Sequence, residues 1–525
     1  MTSPLIRGRP RRAASHISVR VAHALVGGVA AVVWLVLPWM TINHDVPVPA
    51  TRAVPSAPSA AGAQRDETSA TDLVLPLAVV AAVVVLAGYG YVRRTRRART
   101  RTTPGGAVAR AGPAAGPLSE DDERARAALV EADDCVRTSR EELAFAEAQC
   151  GSDAVAPFAL AVRDAASELA AAFRMRQQYD EGVPEDETSR RHALAGIVGR
   201  CREAGRRLDA EAPAFDLLRA PEPGGPDTAL EPAETRFREL TARTGAAGTT
   251  LAGATERYGP AATAAVTGHV EQAKDRLVFA TVRFNQARQR ADTGDREGAA
   301  RHLRAAEGAT AQAGVLVTCV ERLVADLAAA AELVPAALTG AEAELDAART
   351  SDTALPTGEL HALAGRADLV LTAVREEVTA GPYDPLDALR RITEAVAPVA
   401  TGRAGAPPAG ALLAARSAVA LADGFVAAHR GALGSTARTR LAEAERLLGT
   451  EPPDAQAADA LARQALALAE QDVRIYGNPI AGAAEHASGA AGAVVGGILL
   501  GGGPDGGPPA SFGGPRTRAR RVKPD

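Results

Sequence analysis

Two long apolar runs without a charged residue lie near the start of the chain, and they constrain its fold more than any other feature. The first covers residues 21–42 and the second covers residues 73–92. A helix needs about 20 predominantly apolar residues to cross the hydrocarbon core of a bilayer, so each run is long enough to span a membrane. The sequence therefore predicts an N-terminal transmembrane helical hairpin, with residues 43–72 as a short Pro/Ala-rich extracytoplasmic loop.

Arginines flank this hairpin on both outer sides. A basic N-terminus, residues 1–20, precedes the first run, and a basic linker, residues 93–118, follows the second. Because positive charge near a span is retained on the cytoplasmic side, we expect a multi-pass protein of the cell membrane whose large remainder is cytoplasmic. The residues that would fix this topology are Arg11, Arg12, Arg20, Arg93, Arg94, Arg96 and Arg97.

The first apolar run also fits a second interpretation, a cleaved signal peptide that would leave a single-pass protein. Its basic start and the small residues around positions 57–63 permit cleavage. A retained helix is favoured because the run is longer than the apolar core of about 7–15 residues in an ordinary signal peptide. In either case the second span leaves the chain after residue 93 inside the cell.

Residues 119–475 are rich in Ala, Leu, Glu and Arg, with breaks at Gly or Pro, and aromatic residues make up only 3% of the chain. Apolar residues recur at helical spacing, and no extended alternation of β-branched residues follows residue 93. We therefore predict an all-α fold, an elongated array of antiparallel helical hairpins in a cytoplasmic helical or coiled-coil region. The predicted helices cover 119–150, 155–180, 185–220, 231–257, 269–292, 296–333, 335–350, 357–380, 385–400, 408–430, 434–449 and 453–474.

The last part of the chain, residues 476–525, is a Gly/Pro-rich tail that we predict to be disordered. Within it, residues 487–503 are apolar, and Gly492 and Gly496 have the spacing of small residues found in packed membrane helices. Because glycine opposes helix formation, a flexible apolar tail and a membrane contact both remain open.

No motif for catalysis, for a cofactor or for a metal ion occurs in the sequence. The chain has only two lysines, Lys274 and Lys523, and no phosphate-binding loop or kinase signature. Its histidines are isolated, and its four cysteines form no C-x-x-C pair, so we expect reduced, packed thiols. The acidic clusters at 120–123, 133–134 and 184–187 are interpreted as helix-start or turn residues. We therefore predict that the protein is not an enzyme.

The predicted partners follow from the same features. A net charge of −4 argues against a nucleic-acid binder, and the basic linker has no aromatic residues for base stacking. No small-molecule substrate is evident. The lipid bilayer is one expected partner, and a protein partner or self-association through the helical region is the other. The sequence thus predicts a membrane-anchored helical scaffold or interaction protein without catalytic activity.

Three patches resemble a known family, the actinobacterial TPM-domain-containing membrane proteins. They are Ala125–Gly151, Phe173–Arg202, and the tail with Gly-Gly-Ile-Leu-Leu-Gly-Gly-Gly and Ser511-Phe-Gly-Gly. The resemblance implies a transmembrane helix, a cytoplasmic Ala-rich helical region and a Gly-rich tail. In that family the TPM domain lies outside the membrane, where this chain has only residues 43–72, too few for such a domain. The resemblance therefore implies an alternative function, an accessory or degenerate member of a TPM-type, phosphatase-like family.

Overall fold

The computed structural model describes residues 117–219, 227–350, 356–399, 406–476 and 511–522. Within these ranges the regular structure is helical throughout, which confirms the all-α prediction. The predicted membrane hairpin and its seven arginines lie outside the described residues. The helices are α1 Leu118–Cys150, α2 Ser152–Asp180, α3 Glu187–Leu218, α4 Asp227–Tyr258, α5 His269–Asp292, α6 Arg296–Thr350, α7 Thr357–Ala380, α8 Pro385–Val396, α9 Ala406–His429, α10 Ser435–Leu448, α11 Ala455–Tyr476 and α12 Pro515–Val522, with 3₁₀ turns at Ala264–Val266 and Arg430–Ala432.

Local capping explains several helix starts. The side chain of Asp186 accepts a hydrogen bond from the Ser189 N–H at the start of α3, and Asp384 caps α8 in the same way. Helix α1 differs from the prediction of a serine cap at Ser119, because it begins at Leu118 with Pro117 in the capping position and no side-chain cap. Pro117 has no N–H of its own, and its carbonyl accepts a bond from Glu120 instead.

Helix α6 is longer than the sequence suggested. We predicted a break between residues 333 and 335, but a single helix of 55 residues continues through Pro335. A proline inside a helix costs about 3 kcal/mol, because it removes one hydrogen bond and crowds the preceding turn. Burial on both sides of Pro335 offsets this cost, since Ala330, Val334 and Ala337 are each fully buried.

The described helices pack around several connected cores. Helices α1, α2 and α3 form a three-helix bundle, and α6 is the central element of a second core that it shares with α4, α5, α7 and α8. Helix α9 joins α6 to a smaller core with α10 and α11. The side chains at the centre of the three-helix bundle include Leu129, Leu169, Leu194, Ile197, Leu208 and Phe215.

Alanine supplies much of the interior of α6. Its buried face carries Ala330, Ala337, Ala341 and Ala348, which are all completely inaccessible to solvent. These positions lie seven, four and seven residues apart, close to two turns, one turn and two turns of the helix, and so form one stripe along it. A methyl side chain lets neighbouring backbones approach closely, and it loses no rotamer freedom on burial.

One helix among the described residues is long and apolar enough to cross a membrane. It covers Pro408–Ala432, with a mean hydropathy of 1.5. In its most apolar stretch 44% of the residues are buried, and α9 packs against α6, α8 and α11. The core helix of a soluble bundle meets the same criteria, so this helix is weak evidence of membrane association.

The end of the tail differs from the predicted disorder. Residues 511–522 pack against the three-helix bundle, and α12 contacts α3. Phe512 is only 1% exposed and belongs to the core of that bundle. The disorder prediction is therefore wrong for residues 511–522, whereas residues 477–510 lie outside the described residues.

Candidate functional site

A cleft of about 490 Å³ opens where α1, α4, α6 and α9 meet. Its walls are helix faces, so rigid elements hold each side chain that lines it. Helix α6 supplies more of the lining residues than any other helix, and α9, α4 and α1 supply the rest. The charged or thiol-bearing residues of the lining are Glu141, Arg236, Glu239, Arg243, Cys319, Arg322, Asp326 and Asp423.

Exposed arginines form the basic side of the cleft. Arg243 makes two hydrogen bonds to Glu321, at 2.6 and 3.2 Å, which link α4 to α6. The guanidinium of Arg236 lies 4.9 Å from the ring centroid of Phe145 and donates to the Ala144 carbonyl at 3.4 Å. A guanidinium over an aromatic face is attracted by the ring's electrons. These contacts leave the basic groups at the opening, where a partner can reach them.

Acidic residues on the opposite side are already engaged in ion pairs. Arg137 donates to Asp423 at 2.8 Å and also contacts Asp133. Arg430 makes a two-pronged contact with Glu141, with both oxygens at 2.9 Å. Guanidinium–carboxylate contacts of this kind are charge-assisted and hold both side chains in place. On this wall the charges of Glu141 and Asp423 are therefore already balanced by Arg430 and Arg137.

Behind that wall, Arg438 joins α10 to the middle of α1. Its guanidinium is 1% exposed and donates to Asp133 at 2.6 Å, to Asp134 at 2.7 Å and to the Arg430 carbonyl at 2.6 Å. Burial alone would raise the pKa of Asp133, but Arg137 and Arg438 bring that pKa below its ordinary value. Asp133 therefore stays ionised as the centre of a buried ionic cluster.

A second buried ionic group lies between α1, the end of α3 and α6. Glu142 and Glu307 are 4% and 3% exposed, and both face the guanidinium of Arg219, which contacts Glu307 directly and Gln149 at 2.7 Å. Burial raises the pKa of Glu142 to about 7, and Glu307 acts in the same direction, while Arg219 opposes the rise. Two carboxylates beside one cation favour retention of one proton near neutral pH.

Cys319 of α6 lies in the lining of the cleft, close to Gly424 of α9. A Cβ added at Gly424 would lie 2.1 Å from the Cys319 sulfur, so glycine is needed at this crossing. Burial raises the pKa of the Cys319 thiol to about 11, which keeps it protonated and unreactive. Asp326 lies on the same wall, and burial raises its pKa too, against the effects of Ser417 and Arg322.

We expect Gly424→Ala to destabilise the fold by about 1–3 kcal/mol, because the added methyl group has no space beside Cys319. Thermal unfolding of the full-length protein measures this effect. Gly253→Ala is the matched control, since a Cβ at this exposed helical position meets nothing within 4 Å. That control should be neutral or stabilising by up to about 1 kcal/mol. Equal effects of the two changes would contradict the close helix crossing.

Two buried histidines and an arginine lie together beside α9, and none of the three forms an ion pair with a carboxylate of the described residues. His269 and His429 are 5% and 6% exposed, and Arg276 is 1% exposed with Nη2 lacking a hydrogen-bond partner. Burial lowers the pKa of His269 to about 4, with His429 and Arg276 acting in the same direction. Burial also lowers the pKa of Arg276 to about 10, and the nearby Asp275 only partly offsets this.

This cluster should make the fold sensitive to acid. Because the pKa of His269 falls from 6.5 to about 4 on folding, its contribution is fully present above pH 6.5 and is lost as pH falls toward 4, by about 3 kcal/mol in total. We expect His269→Leu to flatten the loss of unfolding free energy over that range, as measured by urea unfolding. His192→Leu, at an exposed position of α3, is the control. An unchanged slope for His269→Leu would contradict the assignment.

The cysteines and the acidic clusters noted in the sequence have structural roles in the described helices. Cys135, Cys150, Cys201 and Cys319 are all free, and burial raises the pKa of the thiols of Cys135 and Cys201 to about 12. The capping interpretation is correct for Asp186 but wrong for Asp133–Asp134, which lie in mid-helix and pair with Arg438. Among the described residues, no group of three or more His, Cys, Asp or Glu side chains could hold a metal ion.

The charged residues that build the cleft and its ionic support were not recognised from the sequence. Arg438 and Asp423 each occupy a helix position beside buried alanines, Ala437 and Ala422. The sequence feature that could have indicated a buried ion pair is a charged residue at the edge of an apolar helix stripe. It does not identify the partner, which lies about 290–305 positions away along the chain.

Comparison with known proteins gives two similar chains from Mycobacterium tuberculosis. A UPF0603 protein of strain ATCC 25618 / H37Rv is 33% identical over 442 residues, and a UPF0603 protein of strain CDC 1551 / Oshkosh matches to the same extent. The match covers 76% of this chain and 66% of each relative, which is just under two thirds of their length. No family model matches the sequence, and no solved structure matches it. At this level of identity, the chain is similar to UPF0603 proteins along most of its own length.

Proposed function

We propose that the protein is a membrane-anchored helical scaffold, without catalytic activity, that binds a protein partner through the charged cleft. The observation that supports the proposal best is the division of charge within the cleft. Glu141 and Asp423 are held in ion pairs, while Arg236 and Arg322 are exposed at the opening, beside the exposed Glu239. Such a surface can contact a polypeptide segment that carries acidic side chains. Electrostatic complementarity of this kind favours specific and rapid association.

The membrane part of the proposal rests on the sequence. The charge-free runs 21–42 and 73–92 and the flanking arginines support an anchor whose helical region faces the cytoplasm. Protease added to sealed cells should leave residues 119–475 intact, and the protein should sediment with membranes after fractionation. Digestion of the helical region from outside the cell, or recovery of the protein in the soluble fraction, would overturn this part.

Partner binding is tested by crosslinking in intact cells with a photoreactive residue at Thr318, on the lining of the cleft. A specific crosslinked protein should appear, and Arg322→Glu should lower its yield by about tenfold, because charge reversal opposes an acidic partner. Arg163→Glu is the matched control, since Arg163 is 71% exposed on α2 and does not line the cleft. Equal yields from both variants would reject the cleft as the binding site.

The alternative implied by the family resemblance, an accessory or degenerate member of a TPM-type family, remains a prediction. A phosphatase assay of the purified full-length protein with divalent metal ions tests it. Activity that is lost on replacement of an acidic cluster, such as Asp133–Asp134, would favour the alternative over the scaffold. A role for these two aspartates in folding would be recognised by a lower unfolding temperature in the same variant.

A further inference from the structure

The end of the tail is held on the three-helix bundle in the manner of a bound peptide. Phe512 stacks on Phe215, with ring centroids 4.4 Å apart, and its edge contacts Phe158 at 5.9 Å. The residues from Ser511 to Gly514 are all buried. We call the surface that receives them the tail notch and define it by Ser139, Phe158, Gly205, Asp209 and Phe215.

The polar contacts in the tail notch are mainly to the backbone of the tail. One carboxylate oxygen of Asp209 accepts hydrogen bonds from the N–H of Gly514 at 2.9 Å and of Thr517 at 3.0 Å. The same oxygen accepts the Thr517 hydroxyl at 2.6 Å. The N–H of Gly513 donates to the Ser139 hydroxyl at 3.1 Å. Backbone hydrogen bonds combined with one anchoring side chain are the usual means of peptide recognition.

The notch is also selective for glycine in its occupant. A Cβ on Gly514 would lie 2.2 Å from the Gly205 carbonyl oxygen, and Gly513 has a φ of 134°. Neither position can take a larger residue without displacing the tail. In turn, a Cβ on Gly205 would lie 2.6 Å from Pro515 Cδ. The surface therefore matches the pattern Phe-Gly-Gly-Pro followed by a threonine two positions later.

This segment reaches the notch through a long connection. Residues 477–510 separate it from the end of α11. A stretch of 34 residues, counted from 477 to 510, can span at most about 110–120 Å at 3.3–3.6 Å per residue. The notch of a second copy offers residues 511–517 the same contacts. Exchange of an identical element between copies is an established route to association.

We propose that the tail notch is a peptide-recognition site that accepts residues 511–517 from a second copy of this chain as well as from its own. The cis contact is intramolecular, so occupancy of the notch in cis competes with occupancy in trans. The proposal is independent of the charged cleft and holds whether or not that cleft binds a partner.

A pair of complementary full-length variants tests the proposal. In the Gly514→Ala variant the notch is unchanged, but the tail no longer fits it. In the Asp209→Ala variant the tail is unchanged, but the notch has lost the carboxylate that accepts its hydrogen bonds. Each detergent-solubilised variant alone should show no association through the notch in analytical ultracentrifugation. A mixture of the two should form a one-to-one complex. A synthetic peptide of residues 511–522 should dissociate that complex, whereas the same peptide with Gly514→Ala should not.

Direct binding of the labelled peptide separates the two parts of the proposal. The Gly514→Ala chain should bind it at least tenfold more tightly than the unmodified chain, whose notch is filled in cis. Gly513→Ala serves as a second receptor in case Gly514→Ala lowers the unfolding temperature, because Gly513 has a φ of 134° and its added Cβ would lie 2.8 Å from Thr517 of the same tail. No binding to either receptor would overturn the recognition site. Peptide binding without association of the mixed variants would overturn exchange between copies.

Discussion

Replacement of Arg438 by methionine should destabilise the protein by about 3–5 kcal/mol, the largest effect that we expect from a single charged residue. The change leaves Asp134 without its guanidinium, leaves Asp133 with Arg137 alone and deprives the Arg430 carbonyl of a donor. Asp133 is 5% exposed, so water cannot replace the lost contact. Urea unfolding of the full-length protein, followed by far-ultraviolet circular dichroism, measures the loss.

Two further variants test whether the unpaired buried charge causes the loss of stability in Arg438→Met. Arg206→Ala removes an arginine that is 71% exposed and pairs, within the described part of the chain, only with Glu203 three positions earlier, so it should change stability by less than about 0.5 kcal/mol. Adding Asp133→Asn and Asp134→Asn to Arg438→Met should recover part of the loss, because no uncompensated charge then remains buried. A loss for Arg438→Met as small as that for Arg206→Ala would disprove the buried ionic cluster.

Glu142→Gln should change how stability depends on pH. The pKa of Glu142 rises from 4.5 to about 7 on folding, so its contribution is fully present below pH 4.5 and is lost as pH rises through 7. The ordinary chain thus loses stability over this range, and Glu307 shares in the loss because both carboxylates face the guanidinium of Arg219. The glutamine cannot ionise, so the unfolding free energy of the variant should rise relative to that of the ordinary chain between pH 4.5 and pH 8.

The control for this experiment is Glu147→Gln, at an exposed position of the same helix. The groups that face Glu142 are Glu307, Arg219, Arg304 and Glu141, and they are the same in both variants. Parallel curves of unfolding free energy against pH for Glu142→Gln and the ordinary chain would contradict the raised pKa.

Much of the helical fold could be predicted because helical periodicity and chain breaks are local properties. The predicted helices 269–292 and 357–380 agree with α5 and α7 at both ends. The turn after Asp292 also falls in the gap between the predicted helices 269–292 and 296–333. The proline at position 335 predicted a helix break that does not occur, because burial of Val334 and its neighbours keeps the helix continuous.

The candidate site could not be predicted to the same extent. Its contacts join residues far apart in the chain, such as Arg137 with Asp423 and Glu141 with Arg430. No local pattern shows which acidic residue an arginine will meet. The same reason explains the misreading of Asp133–Asp134, since a pair of acids resembles a helix start until Arg438 is placed beside it. Phe512 was likewise hidden by the composition of its glycine-rich surroundings.

The alanine stripe of α6 limits how this sequence can change over generations. At Ala330, Ala337, Ala341 and Ala348, almost every substitution adds volume, and only glycine removes any. A buried leucine can be replaced by isoleucine, valine or methionine with a small loss of stability. No replacement of similar volume exists for a buried alanine at these positions. Diversification of the protein should therefore concentrate on outward-facing positions of the helices, while the inner stripe is inherited with little variation.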